Sequence, residues 1–167
     1  SLKNNYNWVD KQEIKADVIC LQEVRNKAMA DNIANKTGFQ YCFFDNYRNE
    51  EEGLCILSNI PFEECDSWLD DANAIWCSFL YGDKKISVIN VHLPWDSEAE
   101  RERQIVGIVD NIAEKQFDYV YMAGDFNCND SSDVQRFLKG DCLLKNKESN
   151  PCWFDLALSY AELNNSK

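Results

Sequence analysis

The chain has 167 residues, of which 45% are hydrophobic, so it is long enough for one domain with a real core and short for two. Acidic residues outnumber basic ones by 29 to 17, and the net charge of -12 argues against general attraction to nucleic acid or anionic lipid. No apolar stretch reaches the ~20 residues of a membrane-spanning helix, and the first residues lack a signal-peptide pattern. We expect a soluble, intracellular, cytoplasmic protein with one domain over residues 1–167.

Strand-like and helix-like stretches alternate along the chain. In chain order the sequence predicts a strand over 16–22, a helix over 24–37, strands over 39–44, 53–58, 74–81 and 85–92, a helix over 97–115, a strand over 118–123 and a helix over 131–139. Only three residues separate the fourth strand from the fifth, so we expect an antiparallel hairpin there. This order predicts an α/β fold with mixed sheets.

The helix over 97–115 has the clearest boundaries. Ser97 and Glu100 form a capping-box pattern, and the apolar residues that follow recur at helical spacing. Gly38 and Gly140 are placed to end the other two helices, because glycine readily adopts the left-handed backbone of a helix C-terminus.

The eight cysteines do not form the pattern of a zinc site or a disulfide framework. Cys20, Cys55 and Cys77 lie inside apolar runs, no C-x-x-C pair occurs, and the chain has one histidine. Buried free cysteine behaves as a small hydrophobe and persists in a reducing compartment. We therefore expect no zinc and no structural disulfide.

Four polar residues follow or end strand-like runs. Glu23 follows the first strand, His92 ends the fifth, and Asp125 and Asn127 follow the sixth. In open α/β sheets, ligand sites lie at the carboxyl ends of strands. Asp125 and Asn127 are two residues apart, so in extended backbone their side chains leave the same face. These four residues are therefore the candidate site.

The candidate residues suit a limited chemistry. The carboxylate of Glu23 is a hard oxygen ligand for Mg²⁺ or Mn²⁺, and the amide of Asn127 can orient a phosphate oxygen or a water. Asp125 can accept a proton from that water, and His92 can donate to a phosphoryl oxygen. Together they have the parts of a metal-assisted phosphodiester or phosphomonoester hydrolase.

Four segments carry a family resemblance. ADVICLQEV, EGLCILSNIP, VINVHLPW and YMAGDFNCNDSSD resemble, in order and spacing, the endonuclease/exonuclease/phosphatase superfamily, which has the DNase I-like fold. The match spans roughly residues 16 to 140. Each motif is short, but the four in this order are specific.

The resemblance implies a four-layer α/β/β/α sandwich of mixed, largely antiparallel sheets. It also implies that Glu23 binds the divalent cation, Asp125 and Asn127 position or activate the water, and His92 contacts the scissile phosphate. Substrates across the family include DNA, RNA, inositol phosphates, sphingomyelin and tyrosyl-DNA adducts, and the fold does not choose among them. The expected partner is a phosphate-ester substrate, and no protein partner is predicted.

The sequence also departs from the family pattern. Family members open with a strand that ends in an asparagine near the metal, whereas Asn4, Asn5 and Asn7 lie in no strand-like run. Family members close with a Ser-Asp-His motif, and this chain has no second histidine. We therefore expect a domain that is partial at both ends and impaired in catalysis.

Each candidate residue also has a purely structural interpretation. Glu23 could open the next helix, and His92 could be a satisfied core histidine. Asp125 and Asn127 could form an Asx turn, and Asp155 is assigned only a local capping role.

Two functional hypotheses stay open, with a third that is disfavoured. The chain is a metal-dependent phosphoesterase or a catalytically inactive relative that acts as a binding or scaffold protein, whereas a plain nucleic-acid-binding module conflicts with the charge of -12. Lys84, Lys85, Arg101 and Arg103 form only small basic pairs, expected near the site, which favours a small phosphate ester or lipid head group over long nucleic acid. Trp95 could stack on a ring or cover the core.

Overall fold

The computed structural model describes residues 15–47, 51–150 and 152–165. Asn4, Asn5 and Asn7 lie outside the described residues. The elements in the described part are β1 (Val18–Val24), α1 (Lys27–Thr37), β2 (Tyr41–Asn46), β3 (Gly53–Ser58), β4 (Glu64–Ser67), β5 (Ala74–Tyr81), β6 (Lys84–His92), α2 (Glu98–Ala113), β7 (Tyr119–Asp125), α3 (Asp133–Lys139) and α4 (Leu156–Asn165).

The chain divides into two compact units. The first contains the described residues up to His92 together with Phe117–Phe126, and the second contains Leu93–Gln116 and the described residues from Asn127 onward. All seven described strands lie in the first unit, in two sheets of order β1-β3-β2 and β4-β5-β6-β7. Every pairing is antiparallel except that of β6 with β7, which is parallel.

The strand β3 joins two apolar clusters of the first unit. Its side chains alternate between faces, so Ile56 packs in a cluster with Phe79 of β5, while Leu57 packs with Ala30 and Ala34 of α1. All six residues of β3 are buried. In this unit, α1 therefore packs on one face of the β1-β3-β2 sheet, and the second sheet packs on the other face.

The second unit contains α2, α3 and α4. The side chain of Ser97 caps α2 by accepting from the backbone N–H of Glu100 at 3.2 Å. Lys147 forms an ion pair with Asp110 of α2, and every side chain described in α4 is exposed. Among the described helices, none has the length and apolar character needed to cross a bilayer.

The structure confirms the α/β class, the hairpin of β5 with β6, and the helix ends at Gly38 and Gly140. The predicted end of the first strand is wrong, because β1 continues through Glu23 to Val24. Neither β4 nor α4 was predicted. The short polar strand β4 forms because its backbone pairs with the buried strand β5, which local sequence does not reveal.

Candidate active site

Three of the four candidate residues meet at one end of the first unit. His92 ends β6 and Asp125 ends β7, and the two are direct partners in the parallel register. The Oε1 of Glu23, near the end of β1, lies 4.0 Å from the Nε2 of His92. The structure therefore brings Glu23, His92 and Asp125 to the same end of the first unit.

Glu23 sits in a backbone conformation that side-chain-bearing residues rarely adopt. Its φ is 56°, in the left-handed region, where the strand register shifts between Leu21 and Val24. Its side chain is 67% exposed. The bulge turns the carboxylate out of the ladder toward His92, and such strain is often retained where it serves a site.

His92 is held from the side opposite Glu23. The hydroxyl of Tyr47 lies 2.6 Å from the Nδ1 of His92, and the two rings are 5.7 Å apart between centroids. Tyr47 is buried, with 6% of its surface exposed, and its backbone N–H donates to the carbonyl of Glu52 at 2.8 Å. The imidazole is therefore oriented by a fixed neighbour.

A buried amide ties β1 and β3 to the strand that carries His92. Asn90 of β6 is fully buried, and its Nδ2 donates to the carbonyls of Leu21 and Cys55 at 2.9 and 3.0 Å. Its Oδ1 accepts from the Nε2 of Gln22 at 2.6 Å. Because every polar atom of this amide has a partner, the network fixes β1 and the neighbouring Glu23 relative to β6.

The glycine before Asp125 allows β7 to lie against β6. Gly124 has a φ of 134°, and a Cβ at this position would lie 2.0 Å from the carbonyl oxygen of Val91. Only glycine, which has no Cβ, allows the two backbones to come this close. Gly124 therefore sets the position of Asp125 beside His92.

The expected extended backbone from Asp125 to Asn127 is wrong. Asn127 has a φ of 48°, lies in the second unit, and donates from its Nδ2 to the carbonyl of Leu93 at 2.8 Å. Asparagine tolerates this left-handed conformation because its short polar side chain can bond locally. The structure therefore does not place Asn127 on a common face with Asp125.

The expected basic pair of Lys84 and Lys85 does not lie at this end of the first unit. Lys84 and Lys85 begin β6, and nine residues of strand put them roughly 26 Å from His92. In the second unit, Arg101 donates to the carbonyls of Pro94 and Trp95, and Arg103 pairs with Glu100. Trp95 is 79% exposed, so it does not cover the core.

The residues present fit a loosely held cation. In the described part of the chain, no group of three or more His, Cys, Asp or Glu side chains could hold a metal ion. Mg²⁺ is often bound by one or two carboxylates and keeps several waters. The exposed carboxylate of Glu23 fits such a partly hydrated cation. The described residues do not form a site in which protein groups supply all the ligands.

The motifs and the geometry agree with a match to a known family. Residues 4–161 match the profile of the Endonuclease/Exonuclease/phosphatase family. The chain belongs to this family. No curated protein sequence matches the chain significantly.

Solved structures similar to this endonuclease/exonuclease/phosphatase family chain have the DNase I-like fold, which confirms the predicted fold class. A Staphylococcus aureus beta toxin variant with bound magnesium ions is 18% identical, with a TM-score of 0.61 over 77% of this chain and 60% of that chain. Sphingomyelinase C from Streptomyces griseocarneus is 20% identical, with a TM-score of 0.57 over 71% of this chain and 54% of that chain. Humanized D. rerio TDP2 is 20% identical, with a TM-score of 0.56 over 70% and 54%. This chain therefore spans between 54% and 60% of the length of these proteins.

Sequence reasoning missed Tyr47 and Asn90 as site residues. Asn90 is a polar residue within an apolar strand, and this pattern could have suggested a buried network. Tyr47 lies 45 residues before His92, and no local pattern links the two.

Proposed function

We propose that this family member carries a divalent-metal-dependent phosphoester hydrolase site. The observation that carries the proposal is the meeting of Glu23, His92 and Asp125 at the carboxyl ends of three strands, with Glu23 and His92 separated by 4.0 Å. A carboxylate and an imidazole at this distance can contact one phosphate group and its counter-ion.

Each residue has a distinct role in the proposal. Glu23 would hold Mg²⁺ or Mn²⁺, which would supply Lewis-acid polarisation of a phosphoryl oxygen. His92 donates to that group, and Asp125 accepts a proton from the attacking water.

A small phosphate ester or a lipid head group is the proposed substrate class. The net charge of -12 disfavours long nucleic acid, and the four lysine and arginine residues discussed above are paired with acidic groups or backbone carbonyls.

A second candidate is a binding or scaffold protein that keeps the fold and a weak metal site. Two observations favour it: the 167 residues contain a single histidine, and the described residues lack a cluster of three or more ligand side chains. Catalytic groups that act as a unit lose more than their individual shares when one is absent. We therefore expect turnover by this chain to be slow.

Hydrolysis of bis-p-nitrophenyl phosphate with and without Mn²⁺ separates these candidates. We expect slow, metal-dependent turnover that falls by about 10²-fold in His92→Ala and in Glu23→Gln, because each removes a group that acts on the phosphate. The matched control is Asp83→Asn, a carboxylate 89% exposed that lies beside Lys84. Metal binding at Glu23 with no turnover would favour the scaffold, and turnover that survives both substitutions would contradict the assigned site.

The substrate class is tested separately with sphingomyelin vesicles and a single-stranded oligonucleotide. We expect the vesicles to be hydrolysed faster than the oligonucleotide at equal phosphate concentration. The reverse order would contradict the proposed substrate class while leaving the hydrolase site intact.

A further inference from the structure

Each ring nitrogen of His92 has a polar neighbour, and the two neighbours together bear on which nitrogen carries the proton. A neutral imidazole has one N–H donor and one acceptor nitrogen. The Nδ1 faces the hydroxyl of Tyr47 at 2.6 Å, and the Nε2 faces the Oε1 of Glu23 at 4.0 Å. The two possible tautomers therefore place different groups in front of the carboxylate.

Only one tautomer suits both neighbours. If Nδ1 carried the proton, the lone pair of Nε2 would point at the carboxylate oxygen of Glu23, which is electrostatically unfavourable. If Nε2 carries the proton, Nδ1 accepts from the phenol of Tyr47 and the N–H at Nε2 points toward Glu23. The second arrangement gives Nδ1 a hydrogen-bond donor and leaves the N–H, rather than a lone pair, on the nitrogen nearest the carboxylate.

We propose that Tyr47 is a positioning residue that holds neutral His92 in the Nε2–H form, so that His92 acts at the site as a hydrogen-bond donor. That the acceptor is a phosphoryl oxygen rests on the proposed function. The assignment of the tautomer does not depend on it. A partner on the far nitrogen commonly fixes the orientation of a functional histidine. The buried ring of Tyr47 and the backbone bond of its N–H to Glu52 keep the phenol in place.

Nitrogen-15 NMR of the imidazole tests this assignment directly. The chain has one histidine, so a single set of ring signals reports on His92 without further assignment. At a pH where the imidazole is neutral, we expect the wild-type protein to show the Nε2–H pattern. An Nδ1–H pattern in the wild type would overturn the proposal, even if the substituted protein did not fold.

The variant Tyr47→Phe removes the hydroxyl and keeps the ring. We expect its signals to move to the average of two exchanging tautomers, and activity on a phosphoester to fall through kcat more than through KM. The control Tyr81→Phe removes a hydroxyl at the opposite end of the β5–β6 ladder from His92, from a residue that is 69% exposed, and should leave the pattern unchanged. An unchanged tautomer in folded Tyr47→Phe would contradict the proposal, and an absence of hydrolysis in every protein would count only against the proposed function.

A different observation concerns two thiols in the second sheet. Cys65 of β4 and Cys77 of β5 are direct partners in the antiparallel register, and their sulfurs are 2.6 Å apart. The backbone N–H of Trp68 donates to the carbonyl of Ala74, so by alternation along the ladder the pair of Cys65 and Cys77 is not hydrogen-bonded. In such pairs the side chains approach most closely, and the Cα atoms are about 4.5 Å apart. This separation is within the range of a disulfide.

The other close pair of thiols has a less suitable geometry. Cys42 and Cys55 are 3.7 Å apart between sulfurs, but Cys42 lies opposite Leu57 and Cys55 lies opposite Phe44. They are diagonal neighbours, whose Cα atoms are about 7 to 8 Å apart. That separation exceeds the usual span of a disulfide.

We infer that Cys65 and Cys77 form an oxidation site that closes to a disulfide when a peroxide is the oxidant. Cys65 is partly buried and Cys77 is fully buried, so Cys65 is the more accessible of the two residues and the first that we expect peroxide to oxidise. Its oxidation gives a sulfenic acid and one water, and attack by the sulfur of Cys77 then forms the S–S bond and releases a second water. Two thiols and one hydrogen peroxide thus yield one disulfide and two waters.

Peptide mass spectrometry after treatment with hydrogen peroxide tests this site. We expect a cross-linked peptide containing Cys65 and Cys77 that a dithiol reverses and that is absent in Cys65→Ser. The control Cys42→Ser should keep the cross-link. Preferential linkage of Cys42 to Cys55, or complete alkylation of both Cys65 and Cys77 after oxidation, would overturn the inference.

Discussion

The two ends of β6 are held by different kinds of interaction. At its start, Lys84 pairs with Asp118 at 3.4 Å and Lys85 with Glu64 at 4.0 Å, between side chains that are 40% exposed or more. At its finish, Asn90 and His92 make buried or half-buried hydrogen bonds to neutral partners on β1, on β3 and at Tyr47, the residue after β2. The start of β6 is therefore held by exposed ion pairs, and its end is held by buried hydrogen bonds to other parts of the protein.

The difference explains where a site can be built. Exposed ion pairs contribute roughly 0 to 1 kcal/mol and are screened by salt, so they tolerate movement. A buried amide with all its partners contributes more and permits only one arrangement. Groups that must meet a ligand with fixed geometry accordingly lie at the end of β6 that carries Asn90.

Gly124→Ala should cause the largest loss of stability, because it disrupts the packing of β7 against the end of β6 that carries His92. The new Cβ would collide with the carbonyl of Val91 on β6 and would require a strained backbone, so we expect a loss of about 3 kcal/mol or more in the free energy of unfolding. Urea denaturation measures it. The control is Gly107→Ala in α2, where a Cβ meets no atom within 4 Å, and a gain of up to about 1 kcal/mol is expected there. Equal effects at the two positions would show that the close contact of β6 with β7 is not required.

Asn90→Ala should break the network without a collision. It leaves the carbonyls of Leu21 and Cys55 without this donor, and we expect a loss of about 2 to 3 kcal/mol. Ser87→Ala is the matched control, because Ser87 is also fully buried on β6 and its Oγ has no hydrogen-bond partner in the described structure. Its substitution should change stability by less than about 0.5 kcal/mol. Thermal denaturation of both variants compares them, and a larger loss for Ser87→Ala would refute the network.

Glu23→Gly should affect stability and cation binding in opposite directions. Glycine relieves the left-handed strain at φ 56° but adds backbone freedom to the unfolded chain, so we expect stability to rise by up to about 1 kcal/mol. Divalent-cation binding, followed by titration calorimetry, should disappear in the same variant. A clear loss of stability would mean that the carboxylate is kept for folding.

Asp118→Asn should have the smallest effect, because it acts on the exposed end of β6. The backbone N–H of Lys85 and then the ammonium of Lys84 lower the pKa of Asp118 from its ordinary value of 3.8. A carboxyl group whose pKa is lowered by folding stabilises the folded protein at pH values above its ordinary pKa. It loses that contribution as the pH falls through the pKa that it has in the folded protein. Urea midpoints of wild type and variant should therefore differ slightly at pH 7 and converge in acid and at high salt. A difference that grows in acid would contradict the sign.

Local sequence was enough for the parts of the fold that depend on local chemistry. The strands β3 and β5 match their predicted ranges, and Gly38, Ser97 and Gly140 lie at helix ends as predicted. Asp155 also has its expected local role, because its carboxylate accepts from the backbone N–H of Leu158 at the start of α4. These outcomes follow from periodicity and capping, which act over a few residues.

The parts that were missed depend on contacts between distant segments. The polar strand β4 exists through its pairing with β5, and the role of Tyr47 depends on a residue 45 positions away. The left-handed conformations of Glu23 and Asn127 also escaped prediction, since glutamate seldom adopts one and asparagine does so without an obvious pattern. The sequence therefore located the ends of β3, β5 and β6, and the structure was needed to place the ends of β1 and β7 and to relate the side chains there.

The central claim is that Glu23 binds a divalent cation beside His92. Titration of Mn²⁺ into the protein, followed by the NMR signals of the single histidine, tests it most directly, because a paramagnetic ion broadens the signals of nuclei close to it. With Glu23 and His92 at 4.0 Å, we predict that Mn²⁺ at concentrations on the order of millimolar broadens the imidazole signals in wild type and in Asp83→Asn. In Glu23→Gln the signals should stay sharp over the same range. Equal broadening in wild type and Glu23→Gln, or none in either, would contradict the claim.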